Sequence, residues 1–220
     1  MSDMIRDVDE SLKQDRLHAL WKEYGPTLIT AAILLVLVTA IMAGYRGWKE
    51  NKLEEDTALY LQAADSENSA EALADLAPDL SGGLQSLAYL NAGGEFFVSG
   101  NMDKARENYQ LLAESGEGDM AGLGAVLYNL LALNNDSEDL NDDMVSALED
   151  VANDSDSPWR NYALYTQALV VGNAEGDYEQ AISLFEKIRE DRAAPVVLQT
   201  QIMALSQLYT RKIQGANNSQ

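Results

Sequence analysis

The 220-residue sequence contains no cysteine and one histidine, and each scarcity excludes a class of chemistry. Without cysteine the chain has no disulfide, no thiolate nucleophile and no thiolate metal ligand. The histidine, His18, precedes the longest apolar run, so the sequence beyond that run offers no imidazole for a Ser-His-Asp triad or a histidine metal site. We therefore predict no catalytic residue, no cofactor and no metal, and a protein that is not an enzyme.

Basic residues are also scarce in most of the chain. Residues 1–52 hold seven basic and seven acidic side chains, so the other 8 of the 15 Lys and Arg and 29 of the 36 Asp and Glu lie from Leu53 onward, and with them the whole net charge of −21. A segment this acidic is repelled by nucleic acid and by anionic lipid. Solubility is the simplest explanation of the charge, and recognition of charged partners is the alternative.

A long apolar run extends from Thr27 to Gly44, 18 residues without a charge. As a helix it would be about 27 Å long, close to the roughly 30 Å hydrocarbon core of a bilayer. Trp21 and Tyr24 precede it and Tyr45 and Trp48 follow it, as is typical of the two headgroup layers. A core helix would need protein on every side, and a cleaved signal peptide would need a short basic segment in front. We predict a retained transmembrane anchor over residues 26–48. The residues assigned to it are Thr27, Leu28, Ile33, Leu37, Ile41 and Gly44.

The segment before the anchor, residues 1–25, is predicted to be an amphipathic tail. Its apolar residues from Met4 to Tyr24 lie mostly three or four positions apart, and Gly25 and Pro26 then predict a bend. The tail helix either lies in the membrane interface or docks on a partner. Four basic side chains before the anchor against three after it favour a cytoplasmic N-terminus only slightly.

Residues 49–220 are predicted to form an all-α domain of tetratricopeptide-like helix pairs. Three units share one pattern, in which a tyrosine is followed sixteen positions later by a packing residue and four positions further by a second one. These positions are Tyr89, Ala105 and Tyr109; Tyr128, Met144 and Leu148; and Tyr165, Ala181 and Phe185. The units repeat every 39 and 37 residues, near the roughly 34 of tetratricopeptide pairs. Chance spacing in an Ala- and Leu-rich helical protein is the alternative, and the shared offset argues against it.

The residues within each unit have distinct predicted roles. Gly100 and Gly176 close the turn between paired helices, the small residue lets the helices approach, and the aromatic residue fills the groove behind it. The repeating tyrosines either line a peptide groove or pack the seam, and we favour packing. The middle unit is degenerate, because Met144 replaces alanine and the acidic run Asn135–Asp143 joins its helices.

The C-terminal end of the domain is predicted to be a cap. Apolar residues from Pro195 to Arg211 indicate a last helix that covers the exposed edge of the stack, since terminal repeats need covering. The residues from Gly215 onward are expected to be a frayed tail.

Two motif-like segments are assigned to loops. Asp136–Asp143 lacks the glycine and the terminal glutamate of a calcium-binding EF-hand loop. Gly116–Ala121 fits G-x-G-x-x-A, but a predicted helix precedes it where a dinucleotide site requires a strand.

The segment Leu20–Pro26, LWKEYGP, ends a short amphipathic tail and is followed by one anchor and a degenerate tetratricopeptide-like domain. This arrangement resembles the YfgM-like family of bacterial inner-membrane proteins. The resemblance implies a single-pass protein with a cytoplasmic tail and a periplasmic domain. It also implies association with the SecYEG translocon and the chaperone PpiD, and a role in handling emerging or unfolded polypeptides. It implies no active site.

Two other functions remain open from the sequence. One is a repeat scaffold that coordinates cell-envelope or division machinery. The other is an enzyme with a carboxylate-only site, which would need buried, paired Asp or Glu, whereas the acidic residues here fall mostly in loops and at helix starts.

Overall fold

The computed structural model describes residues 39, 41–42, 45–135 and 140–217. Most of the predicted anchor and the whole predicted tail lie outside these residues, including Thr27, Leu28, Ile33, Leu37 and Gly44. Ile41 is described, and it is helical and exposed. Among the described residues, no helix combines the length and the apolar composition that a bilayer crossing requires. The anchor therefore stays a prediction.

The chain divides into two compact units, Met1–Glu55 and Asp56–Gln220. Helix α1 occupies residues 45–64. The helices that follow it are α2 (Ser69–Leu76), α3 (Gly83–Val98), α4 (Met102–Ser115), α5 (Asp119–Asn135), α6 (Asp142–Asn153), α7 (Arg160–Val170), α8 (Tyr178–Glu190) and α9 (Val196–Asn217). A 3₁₀ turn follows α2, and a π-helical turn, Val171–Glu175, ends α7. The described part of the chain contains no β-strand.

Within the second unit, each helix from α2 onward packs against the next one along the chain. Helices α3, α5, α7 and α9 also contact one another in sequence, each touching the next but one. The helices therefore form the pairs α3–α4, α5–α6 and α7–α8, with α9 after the last pair, as in a helical repeat array. The predicted all-α fold with a tetratricopeptide-like arrangement is confirmed for the described residues.

Glycine closes the turns of the first and third pairs. Gly100 has φ +82° and donates to the carbonyl of Phe97 at 3.0 Å, while the nitrogen of Asn101 donates to Phe96 at 2.8 Å. These two bonds satisfy the last carbonyls of α3 in a Schellman motif, which needs a left-handed residue at this position. Gly176, with φ +75°, occupies the corresponding place after α7.

The second helix of each pair begins with the same kind of N-cap. The side chains of Asn101, Asn141 and Asp177 each accept a hydrogen bond from a backbone nitrogen two or three residues later, at 3.3, 2.9 and 2.9 Å. Each bond satisfies one of the donors that the first turn of a helix leaves without a partner. Glycine followed by a capping residue therefore makes a short, sharp connection in the first and third pairs.

Two apolar cores meet along α5. One core extends from Tyr60 in α1 to Met144 in α6 and includes Tyr128, and the other extends from Val126 in α5 to Tyr209 in α9. Because α5 contributes to both cores, it joins the first pair to the third. The middle pair is therefore continuous with its neighbours despite its degenerate sequence.

Helix α9 is held by a tyrosine that the sequence analysis did not select. Tyr209 is fully buried, stacks on Phe185 with ring centroids 5.9 Å apart, and donates from its hydroxyl to Asn173 at 3.0 Å. A Cβ at Gly172 would lie 2.6 Å from this ring, so the π-helical turn presents glycine where the ring needs room. The helix continues to Asn217, and the prediction of a frayed tail from Gly215 was wrong for the residues up to that point.

Asp191 fastens the turn between α8 and α9 to the start of α7. It accepts hydrogen bonds from the backbone nitrogen of Ala193 at 2.8 Å and from Asn161 Nδ2 at 2.9 Å, and the Arg160 guanidinium lies 3.6 Å away. The backbone hydrogen bond from Ala193, then the Asn161 amide and the Arg160 charge, hold the pKa of Asp191 below its ordinary value of 3.8. The ionised carboxylate is thus favoured by folding.

A carboxylate with a lowered folded pKa contributes stability above its unfolded pKa and loses it as the pH falls through the folded value. We predict that wild-type protein melts a few degrees higher than Asp191→Asn at neutral pH. The difference should shrink as the pH falls below 3.8. Thermal unfolding of the full chain in detergent, followed by circular dichroism across pH, measures it. Glu190→Gln, at an exposed neighbour, is the control, and a pH-independent gap for Asp191→Asn would contradict this role.

Candidate interaction site

The packing residues predicted for the first helix pair lie between α3 and α4. Tyr89, Ala105 and Tyr109 are all buried in the first core, and Ala105 has no exposed surface. A Cβ at Gly93 would lie 2.5 Å from Cε1 of Tyr109, so the ring fills space that a larger residue on α3 would occupy. Burial raises the pKa of both Tyr89 and Tyr109.

The third pair repeats this arrangement. Ala181 and Phe185 on α8 are buried, and Tyr165 on α7 is half-buried with its ring centroid 6.1 Å from that of Phe185. A tilted aromatic pair at this separation is a favourable arrangement. Tyr165 therefore contributes to the seam between α7 and α8 and keeps part of its surface in solvent.

The middle pair contains the larger side chains expected for it. Tyr128, Met144 and Leu148 are buried, and the flexible thioether of Met144 occupies the place of the alanines in the other pairs. Asn129 adds a polar tie between α5 and α6, because its Nδ2 donates to the carbonyls of Ala125 at 2.8 Å and Met144 at 2.9 Å.

Helices α4 and α8 bury side chains at the same four offsets, with one difference in character. The buried sets are Ala105, Asn108, Tyr109 and Leu112 in α4, and Ala181, Leu184, Phe185 and Ile188 in α8. Asn108 therefore stands where the matching helix has Leu184.

A surface pocket of about 190 Å³ lies at this position, between α2, α3 and α4. Glu71 and Asp75 contribute from α2, Phe96 from α3, and Lys104, Glu107 and Asn108 from α4. Three carboxylates thus line the pocket with one ammonium group. A recess of this volume can hold one side chain of a partner.

Lys104 connects two walls of the pocket. Its Nζ lies 3.2 Å from Glu71 Oε1 and 4.8 Å from the centroid of the Phe96 ring. Both partners attract a cation, the carboxylate by charge and the ring by its quadrupole. About half of each charged side chain is exposed, 46% for Lys104 and 53% for Glu71, so the ion pair is weak and can exchange its partners.

Asn108 forms the buried end of the pocket and is 3% exposed. Its Nδ2 donates to the carbonyl of Lys104 at 2.9 Å, which directs its Oδ1 away from the α4 backbone. That oxygen is buried and accepts no hydrogen bond. Such an oxygen has lost its hydration without compensation. The Oδ1 atoms of Asn129 and Asn161 are also buried without a partner, but neither residue lines the pocket.

The carboxylates of the described residues do not form a metal cage. No group of three His, Cys, Asp or Glu side chains in these ranges is arranged to hold a metal ion. Asp56, a fully buried carboxylate, accepts from the nitrogen of Ser81 at 3.2 Å and from its hydroxyl at 2.5 Å. Asp56 therefore ties α1 to the connection before α3, which is a structural role.

Helix α9 has a second exposed surface of a different character. It presents apolar side chains to solvent, and these are Val196, Val197, Met203 and Leu208. The predicted cap packs one side of α9 on the last pair through Leu198, Ile202 and Tyr209. Terminal repeats normally have a polar outer surface, so these four exposed apolar side chains form a candidate contact surface.

The packing residues could be predicted from the sequence, and the pocket could not. One residue indicates the pocket in the sequence, since Asn108 is the polar member of an otherwise apolar set in α4. The carboxylates of α2 do not indicate it, because Glu71 and Asp75 meet α4 only through the packing of α2 on the first pair.

A sequence profile described as a tetratricopeptide repeat-like domain matches residues 18–127, which is half of the chain. The match covers α1 to α4 and the first part of α5, together with residues before them. Searches of curated proteins and of solved structures give no significant match.

The buried alanine of the third pair provides a test of the helix seam. Ala181 has no exposed surface, so Ala181→Leu should overpack the contact between α7 and α8 and cost about 1–3 kcal/mol. Gln180→Leu, one position earlier and exposed, is the matched control and should change stability little. Chemical unfolding of the full chain in detergent measures both variants, and equal effects would show that Ala181 is not at the seam.

Proposed function

Since the chain belongs to the tetratricopeptide repeat-like domain family, we propose that it is a membrane-tethered, non-enzymatic interaction protein that serves the Sec translocon as a periplasmic chaperone or accessory subunit. The observation that carries the proposal is the row of helix pairs from α3 to α8, in the family whose profile matches. Such repeats are typical of proteins that bind other proteins, because stacking leaves long surfaces free for contact.

The proposed location is a bacterial inner membrane, with the N-terminus in the cytoplasm and the helical domain in the periplasm. The apolar run Thr27–Gly44 supports the tether, and the likeness to the YfgM-like family supports the orientation. The same likeness supports SecYEG and a PpiD-like chaperone as partners. A tether raises the effective concentration of the domain beside the channel exit, to about the millimolar range for short linkers.

Two surface features suit the domain to emerging polypeptides. The exposed apolar side chains of α9 offer contacts to segments that have not yet buried their own apolar residues. The excess of carboxylates from Leu53 onward attracts basic segments and repels acidic ones. Weak contacts of both kinds suffice when the domain is held close to its clients.

Site-specific photocrosslinking in native membranes tests the proposal. We place the photoreactive residue at Met203, which is 66% exposed on α9, and at Ser183, an exposed polar position on α8. We expect Met203 to capture translocon subunits and polypeptides in transit, and Ser183 to capture far less. The products are identified by mass spectrometry before and after a block of secretion.

The same experiment separates the proposal from the scaffold alternative. Crosslinks to polypeptides in transit should disappear when secretion is blocked, whereas contacts within an envelope scaffold would persist. Capture of cell-wall or division components from Met203, with no translocon subunit, would overturn the proposal.

A further inference from the structure

We propose that the pocket between α2, α3 and α4 binds an arginine side chain of a partner polypeptide. The inference rests on the proposed function only in that the arginine belongs to another protein. The pocket chemistry stands on the contacts of Glu71, Asp75, Phe96, Glu107 and Asn108. Its test uses the purified chain and needs no translocon.

The charge of the pocket selects a cation. Glu71, Asp75 and Glu107 place three carboxylates around one ammonium group, that of Lys104. A second positive charge is needed before the lining approaches neutrality. Electrostatic complementarity of this kind brings basic ligands to the surface and excludes acidic ones.

Lys104 already shows where a cation binds in the pocket. Its ammonium group lies 3.2 Å from Glu71 Oε1 and 4.8 Å from the Phe96 centroid. Because Lys104 has a flexible stem and is about half exposed, it can move into solvent and release the ring and the carboxylate. The resident lysine is therefore a competitor of the ligand, and its removal should favour binding.

Asn108 distinguishes this pocket from a patch of surface charge. It is 3% exposed, and its Oδ1 accepts no hydrogen bond. The matching position of the third pair, Leu184, is apolar. This oxygen is an acceptor at the buried end of the pocket. A donor group of the ligand can bond to it in addition to the carboxylates.

A guanidinium group fits this set of partners better than an ammonium group does. It has five N–H donors in one plane, so it can donate to two carboxylates and an amide oxygen together. Its flat face also stacks on an aromatic ring, which Phe96 supplies. A lysine ligand could only reproduce the contacts that Lys104 already makes. Displacing Lys104 would therefore gain it less binding free energy than an arginine ligand gains.

The primary test compares two peptides. Short Gly- and Ser-based peptides, acetylated and amidated, carry either arginine or citrulline at the same positions. Citrulline has the same shape and carries no charge. Binding to the full ¹⁵N-labelled chain in detergent micelles is followed by NMR, including the side-chain amide signals of Asn108, which Asn108→Leu identifies by their loss. The arginine peptide should bind about tenfold more tightly, shift these signals, and weaken as salt is added.

Variants with matched controls locate the site. Asp75→Asn with Glu107→Gln should weaken the arginine peptide about tenfold, whereas Glu95→Gln with Glu179→Gln, which removes two exposed charges elsewhere, should not. Lys104→Met should tighten binding by about threefold, because it removes the competitor. Lys212→Met is its control, since Lys212 Nζ also lies 4.8 Å from an aromatic centroid, that of Tyr178, outside the pocket.

The peptide comparison and the variants together can either support or overturn arginine binding in the pocket. Preference for arginine over citrulline, together with the opposite effects of the Asp75/Glu107 and Lys104 variants, supports it. Equal binding of the two peptides overturns it, as does an identical response of the pocket variants and their controls. Because the assay contains no translocon, its result is independent of the Sec role. Arginine binding, together with Met203 crosslinks to cell-wall or division components and none to translocon subunits, would support the pocket and reject the Sec role.

Discussion

Close approach of paired helices at small residues is the constraint on which the rest of the domain depends. Ala105 and Ala181 have no exposed surface, and Gly93 and Gly172 lie where a Cβ would come within 2.5 and 2.6 Å of a tyrosine ring. At Gly93 the space is taken by the Tyr109 ring of the paired helix α4, and at Gly172 by the Tyr209 ring of α9. Since apolar contact is the main favourable term in folding, the pairs are held by these seams rather than by surface ion pairs.

The seams also decide where the domain can interact. Because the core positions are filled, a partner can reach only the exposed surfaces. These include the turns, the outer side of α9 and the junction of α2 with the first pair. At that junction Asn108 replaces an apolar core residue, and the carboxylates of α2 and α4 surround it. The pocket thus combines one polar side chain at a packing position with charged side chains around it, while the other buried positions of α4 keep the helices together.

The sequence was enough to predict the helix pairs, because the offsets of Tyr109 and Phe185 from their alanines follow directly from helix periodicity. Gly100 and Gly176 were equally readable, since a left-handed turn residue before a capping side chain is a local signal. The roles of Tyr209 and Asp191 could not be predicted from the sequence, because each residue acts through contacts with helices far away in the sequence. The pocket was hidden for the same reason, as Glu71 and Lys104 meet only after α2 has packed on the first helix pair.

A double-mutant cycle at Gly93 and Tyr109 tests the central constraint most directly. Gly93→Ala alone should cost about 1–3 kcal/mol, because the added methyl group meets the Tyr109 ring. In a Tyr109→Leu background the same change should be close to neutral, since alanine favours helix and the ring is absent. Chemical unfolding of the full chain should therefore give a coupling of about 1 kcal/mol or more. Additive effects, within about 0.5 kcal/mol, would contradict the account.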